Sequence, residues 1–186
     1  MKNIEKIIFI GLLTILTVIS RLIPHLPNFT PITAVSIFIF AYVSKRYFWI
    51  PILILLISDI FIGVYDIRLM LAVYLSFVLV GFLGYFLKNK RSILRILTVS
   101  LSGSVFFFLT TNFAVWIFSS WYEKDFVGLL NCYILGVPFF RNMILADFVY
   151  LFSFFYLSEY IVKIYKNPKN IDIGFLTKKI HLKNSK

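Results

Sequence analysis

Long apolar runs alternate with short polar stretches along this chain. The runs cover residues 6–23, 30–43, 48–65, 69–87, 94–118 and 143–164. Most of them have the ~20 residues that a helix needs to cross the hydrocarbon core of a bilayer. The second run is shorter, and at ~1.5 Å per residue it covers only about 21 Å of a core that is ~30 Å thick. The pattern predicts an all-α integral membrane bundle of six transmembrane helices, formed as a single domain by residues 1–166.

A further apolar stretch lies between the fifth and sixth runs. Residues 126–140 are too apolar for a solvated loop, yet too few to cross a membrane and return. We therefore expect an interfacial or re-entrant segment between helices 5 and 6 that covers the outer mouth of the bundle as a lid. Gly128 and Gly136 would let its backbone move.

Composition and charge favour the same class of protein. The chain is 60% hydrophobic, against about 45–50% for soluble domains, and its mean hydropathy is +0.90. The net charge of +11 comes from basic residues that flank the apolar runs, so we expect the lipid bilayer and not nucleic acid as a partner. A single cysteine excludes an intrachain disulfide and a cysteine-based zinc cage. We expect neither a metal nor an organic cofactor.

The basic residues also predict an orientation. Of the 19 lysines and arginines, 15 lie toward one side of the predicted bundle. The other four lie toward the opposite side, and they are Arg21, Arg68, Lys124 and Arg141. The positive-inside rule places the other, more basic ends in the cytoplasm. We therefore expect the bacterial cytoplasmic (inner) membrane, with both termini and a basic tail of residues 167–186 on the cytoplasmic side.

Two carboxyl groups lie within the predicted helices. Asp59 is in the third run and Asp147 is in the sixth, where insertion of an ionised carboxylate costs at least ~2.5 kcal/mol. Each should face the bundle interior and have a partner. Arg21 and Arg141 lie at a compatible depth, so one reading is an ion pair, Arg21 with Asp59 or Arg141 with Asp147, that locks helices together. The other reading is a solute or ion site that uses the same charges.

The outer end of the fifth run adds polar and aromatic candidates. Asn112 lies at the depth of Asp59, and either a neighbouring helix or a ligand should bind its side chain. Trp116 is either an interface anchor or a wall of the ligand site, and Tyr133 lies in the predicted lid. Cys132 fits a small buried apolar residue. The candidate substrate-binding residues are Arg21, Asn28, Asp59, Asn112, Trp116, Tyr133, Arg141, Asn142 and Asp147.

Several of these residues stand in short segments that together resemble a family signature. The segments are Pro27-Asn28-Phe29-Thr30-Pro31, Ser58-Asp59, Thr111-Asn112-Phe113-Ala114-Val115-Trp116, Gly128-Leu129, Cys132-Tyr133, Pro138-Phe139-Phe140, Asn142 and Asp147. On them the chain resembles an uncharacterised family of six-helix bacterial membrane proteins. That family is similar in size and layout to the substrate-binding S components of energy-coupling factor (ECF) vitamin transporters. The likeness implies an outward-facing pocket closed by loops, and an energising transporter module as a partner.

These observations lead to an expected function and two alternatives. We expect a protein, not an enzyme, that binds a small polar or zwitterionic solute from outside for uptake, alone or as a transporter subunit. Charges of both signs favour such a solute over a simple ion. One alternative is a structural or assembly protein whose buried charges only pair helices. The other is an intramembrane enzyme that uses Asp59 or Asp147 as a base, with Cys132 or His25 as nucleophile or metal ligand, although no HExxH or P-loop motif is present.

Overall fold

The computed structural model describes residues 3–89 and 92–166, and the side chains of residues 9–89 and 92–160. Every regular element within those ranges is helical, so the prediction of an all-α fold is confirmed. The α-helices are α1 Asn3–Leu22, α2 Ile32–Phe38, α3 Ile50–Ile62, α4 Ile67–Phe82, α5 Ile93–Phe118 and α6 Phe126–Lys166. The basic tail predicted for residues 167–186 lies outside the described residues.

The short second helix is the buried centre of the bundle. All seven residues of α2 are buried, and α2 contacts α1, α3, α4 and α5. A π-helical stretch, Ile39–Val43, continues α2, and a 3₁₀-helix, Leu83–Leu87, likewise continues α4. Because other helices cover α2, its limited length leaves no backbone facing lipid.

The described surface is apolar while the interior holds polar groups. Among the most exposed side chains are Ile60 (72%), Leu94 (73%) and Phe126 (77%), whereas Asp59 and Asp147 are buried. This is the reverse of a soluble domain and suits lipid around the bundle. The described stretches long and apolar enough to cross a membrane are Ile67–Leu87, Ile93–Phe118 and Phe126–Tyr160.

The separate lid predicted for residues 126–140 is wrong. These residues are the first turns of α6, which has 41 residues and contains Pro138 in its interior. The helix begins where Asp125 caps it, since the Asp125 carboxylate accepts a 2.6 Å hydrogen bond from the Gly128 backbone N–H. At ~1.5 Å per residue, α6 is about 60 Å long, roughly twice the hydrocarbon thickness of a bilayer.

Packing explains why α6 continues through Gly136 and Pro138. An interior proline removes one helical hydrogen bond and commonly breaks a helix. Here Gly136 lies directly against α5, because a Cβ atom at this position would be only 2.5 Å from Asn112 Oδ1. Close helix contact at small residues stabilises such a segment from outside. The tertiary contact therefore overrides the local signal.

The chain divides into two compact units, Met1–Phe154 and Phe155–Lys186. The first contains all the residues of the site described below. The described part of the second is the C-terminal end of α6. The boundary that the sequence predicts at residue 166 stays a prediction.

Candidate functional site

The buried carboxylate of Asp59, in the last turn of α3, lies between two partners on neighbouring helices. Arg21, in the last turn of α1, places Nη2 2.9 Å from Asp59 Oδ1. Tyr74, in α4, donates a 2.8 Å hydrogen bond to Asp59 Oδ2. Asp59 is 3% exposed, so the ion pair is largely removed from solvent. The Arg21–Asp59 pair that the sequence predicts is therefore confirmed.

A tight turn between α3 and α4 brings Asp59 and Tyr74 together. The helix α3 ends at Gly63, which has φ 125°, a conformation that favours glycine. Asp66 then caps α4 by accepting a 2.8 Å hydrogen bond from the Arg68 backbone N–H. Because the two helices run antiparallel from this turn, residues near it on both sides lie side by side.

A cavity of about 410 Å³ adjoins this charged cluster. Its lining includes Arg21, Asn28, Thr30, Tyr65 and Thr111, with Phe77 and Phe107 as apolar walls. The volume falls within the range of about 300–1,000 Å³ that is usual for small-molecule sites.

Tyr65 and Arg21 are two of the hydrogen-bond donors on this lining, which also includes His25. Partial burial raises the pKa of Tyr65 to about 12, the charge of Asp59 adds to the rise, and Arg21 opposes it. The Tyr65 phenol therefore keeps its proton at neutral pH. Arg21 uses Nη2 for Asp59, whereas its Nη1 is buried and makes no hydrogen bond to the described residues.

A second cavity of about 260 Å³ lies between α5 and α6. Asn112 on α5 and Gly136 and Met143 on α6 line it. The residues that line both cavities are Asn28, Phe107 and Thr111. The two cavities therefore adjoin, with Asn28 at their shared edge in a left-handed backbone conformation (φ 61°).

The structure divides the candidate residues into two groups. Arg21, Asn28 and Asn112 line a cavity, and Asp59 pairs with one of these residues. Besides Asp59, the candidates that line neither cavity are Trp116, Tyr133, Arg141, Asn142 and Asp147. Three of these donate to backbone carbonyl groups and thereby hold segments together, Trp116 to Glu123, Tyr133 to Leu109 and Asn142 to Pro27. Ligand binding by any of the candidates stays a prediction.

The predicted ion pair between Arg141 and Asp147 is not formed. Arg141 is exposed and makes no salt bridge to the described residues. Because α6 extends back to Phe126, both residues stand on one helix at positions i and i+6. At 3.6 residues per turn their side chains point about 120° apart, so they do not face each other.

Asp147 instead lies in the contact of α6 with α5 and α2. The residue is 0% exposed. Its Oδ2 is in hydrogen-bond contact with Ser104 Oγ at 2.6 Å, while its Oδ1 makes no hydrogen bond to the described residues. Thr33 of α2 is the other polar side chain beside this carboxyl, outside hydrogen-bond geometry.

Sequence reasoning missed three aromatic side chains near these groups. Tyr74 and Tyr65 flank the Arg21–Asp59 pair, and Tyr122 lines the smaller cavity. A register symmetric about the turn at Gly63 would place the first turn of α4 opposite Asp59, so it does not predict the contact with Tyr74, which lies about two turns into that helix. Among the described residues, no group of three or more His, Cys, Asp or Glu side chains could hold a metal ion.

The comparisons with known proteins define a family without defining an activity. Residues 1–169 match the model described as "Family of unknown function (DUF6580)", and the chain belongs to that family. No curated protein and no solved structure matches the chain. The likeness to ECF S components therefore stays a hypothesis.

Proposed function

We propose that this protein is a membrane protein with six transmembrane helices that binds a small polar or zwitterionic solute in the two adjoining cavities and serves in its uptake. The observation that carries the proposal is the position of Arg21. Asp59 anchors the guanidinium, whose buried Nη1 has no hydrogen-bond partner among the described residues, and Arg21 is part of the lining of a cavity of about 410 Å³. Such an arginine suits a carboxylate or phosphate group of a ligand.

The rest of the lining supports a polar ligand with an apolar part. Asn28, Thr30 and Thr111 offer uncharged hydrogen-bonding groups, and Tyr65 offers a phenol. Phe77 and Phe107 provide apolar walls. A few placed polar groups among aromatic walls are the usual composition of a small-molecule site.

The proposed membrane placement combines the described helices with the charge asymmetry. The bacterial cytoplasmic membrane, with cytoplasmic termini and cavities near the outer side, follows from the positive-inside rule. In a Cys132→Ser background, an impermeant thiol reagent added outside should label Glu123→Cys and miss Lys88→Cys. The reverse labelling would place the cavities on the cytoplasmic side and contradict uptake from outside.

The likeness to S components is the reason to propose that an energising module works with this protein. Co-purification of a helical coupling subunit and an ATPase with the tagged protein would support it. Uptake by the purified protein alone in liposomes would show that no such module is required.

Native mass spectrometry tests the binding proposal directly. The wild-type protein, released from detergent micelles, should carry a small molecule of defined mass. The double variant Arg21→Gln/Asp59→Asn should lose it, because it removes the guanidinium while leaving no unpaired charge. The variant Arg68→Gln is the matched control, since Arg68 forms an exposed ion pair with Asp66 and should leave binding intact.

The structural alternative rests on the same charges. Arg21, Asp59 and Tyr74 form a compact hydrogen-bonded group that joins α1, α3 and α4, which is also what a helix lock requires. Folded wild-type protein that carries no bound mass and shows no thermal shift with a panel of polar metabolites would favour that alternative. Equal retention of a bound mass by the double variant would remove Arg21 from the site.

A further inference from the structure

Asp147 is the most deeply buried ionisable group that the proposed solute site does not use. Its side chain is 0% exposed and Oδ1 makes no hydrogen bond to the described residues. One turn before Ser104, the Ser100 hydroxyl is also buried without a hydrogen bond. The junction of α5 and α6 therefore has an unpaired acceptor on Asp147 and an unpaired donor on Ser100.

The Ser104 hydroxyl group is the hydrogen-bond donor beside Asp147. Ser104 Oγ is 2.6 Å from Asp147 Oδ2 and 3.1 Å from the Ser100 carbonyl oxygen. A hydroxyl group has one proton, so it donates to one of these acceptors at a time. An ionised Asp147 would therefore receive at most this one hydrogen bond from the described residues, which is too little to stabilise a carboxylate buried away from water.

Within the part of the chain that the structure describes, Asp147 forms no ion pair, and the helices around it place no cation beside its carboxyl group. The helix α2 has no ionisable side chain, and the one charged residue of α5 is Arg95, about two and a half turns from Ser104. On α6, Arg141 is exposed on another face, and the Tyr150 ring packs against Phe29. An isolated buried carboxylate is so unfavourable that the group takes up a proton instead.

The buried carboxyl group of Asp147 lies within about one helical turn of residues that line the smaller cavity. Met143 lies one turn before Asp147 on α6, is 3% exposed and lines that cavity. Phe107, which lines both cavities, follows Ser104 by less than one turn of α5. The separation along either helix is about 6 Å or less. A methionine side chain is flexible, so rotation of Met143 would open a route from the carboxyl group to the cavity.

We propose that Asp147 is a proton-binding site within the helix bundle, neutral at neutral pH, that exchanges its proton with the smaller cavity past Met143. We take the bound species to be a proton, because among the described residues Asp147 belongs to no group of His, Cys, Asp or Glu side chains that could hold a metal ion, and the NaCl measurement below tests for sodium. The site stands independently of the solute. Only its use in driving uptake would rest on the proposed function.

Infrared difference spectroscopy of the full-length protein in liposomes tests the proposal. At neutral pH the wild type should show the C=O stretching band of a protonated carboxyl group. The band should shift when aspartate is labelled with ¹³C and should be lost in Asp147→Asn. It should persist in Asp59→Asn, the matched control. Transfer to D₂O should move the band slowly in the wild type and several-fold faster in Met143→Ala.

Two further measurements cover folding and ion identity. Ser104→Ala should raise the frequency of the band, because the carboxyl group loses its hydrogen-bond partner. This variant keeps Asp147, so it tests the assignment of the band even if Asp147→Asn does not fold. Absence of a protonated carboxyl band at neutral pH, or its persistence in Asp147→Asn, would overturn the proposal. Loss of the band on adding NaCl at constant pH would also overturn it, since sodium would then be the ligand. Equal D₂O exchange in Met143→Ala would contradict the route.

Discussion

Asp59 and Asp147 are both buried carboxyl groups, but their surroundings differ. Asp59 has a guanidinium on one oxygen and a phenol on the other, and the guanidinium lines a cavity of about 410 Å³. Asp147 has one serine hydroxyl on one oxygen, and its other oxygen makes no hydrogen bond to any residue that the structure describes. One environment stabilises a negative charge, and the other stabilises a neutral acid.

The difference shows that burial alone does not assign a role to an intramembrane acid. The two residues are 3% and 0% exposed, so exposure hardly separates them. Their partners do separate them, because a paired carboxylate fixes a neighbouring cation in place, whereas the proton exchange proposed for Asp147 requires a carboxyl group without such a cation. We therefore expect removal of a partner of Asp59 to lower the stability strongly, because Asp59 is paired with a cation, and removal of the hydroxyl partner of Asp147 to lower it little.

The largest effect should come from breaking the Arg21–Asp59 pair on one side only. Arg21→Leu leaves a buried carboxylate without its cation and should lower the free energy of unfolding by about 3–5 kcal/mol. The double variant Arg21→Leu/Asp59→Leu should lose much less, because no unpaired charge remains. Denaturant unfolding of the reconstituted proteins measures both values. Additive losses would mean that the two charges do not interact.

Removal of the second partner of Asp59 should have a smaller effect. Tyr74→Phe deletes a hydrogen bond to a charged group and should cost about 1.5–3 kcal/mol. Tyr85→Phe is a matched control, since Tyr85 packs against Phe40 and is 39% exposed. Similar stability of Tyr74→Phe and Tyr85→Phe would show that the phenol does not support the charge of Asp59.

At Asp147 the loss of a hydrogen-bond partner should cost less than the loss of either partner of Asp59. Ser104→Ala removes a hydrogen bond to a neutral acid and should lower the free energy of unfolding by about 0.5–1.5 kcal/mol. Ser100→Ala, one turn away, removes a hydroxyl that makes no hydrogen bond to the described residues and should cost less. A loss for Ser104→Ala as large as that for Tyr74→Phe would indicate that Asp147 is charged.

The sequence predicts helices better than it predicts helix faces. The fifth run, residues 94–118, agrees with α5 at Ile93–Phe118 because an apolar run with polar ends defines a helix by itself. The start of α6 is wrong because Gly136 and Pro138 are local signals, whereas the contact of Gly136 with Asn112 is a tertiary one. A run of apolar residues reveals depth but not which side of a helix meets which neighbour.

The predictions for the candidate site differ in the same way: those that follow from charge and depth are separated from those that depend on contacts between helices. The pairing of Arg21 with Asp59 follows from the cost of an unpaired charge, which sequence alone reveals. The pairing of Arg141 with Asp147 also satisfies depth, but it fails because both residues belong to α6. The role of Ser104 lies in a contact between α5 and α6, and no local pattern distinguishes it from an ordinary helix-packing serine.

The smallest effect concerns an exposed carboxylate that serves as a reference for both buried ones. The hydrogen bonds from the Arg68 side chain hold the pKa of Asp66 at about 2, below its ordinary value of 3.8. Because the folded-state pKa is lowered, the stabilisation is fully present above pH 3.8 and is lost as the pH falls toward about 2. Subtracting the stability of Asp66→Asn from that of the wild type at each pH isolates this group, since asparagine keeps an oxygen that can cap α4. The difference should be small and salt-dependent because the pair is exposed. A difference that is instead independent of salt, or that grows as the pH falls below 3.8, would show that Asp66 does not act as a paired, solvated carboxylate, and the contrast with Asp59 and Asp147 would lose its exposed reference.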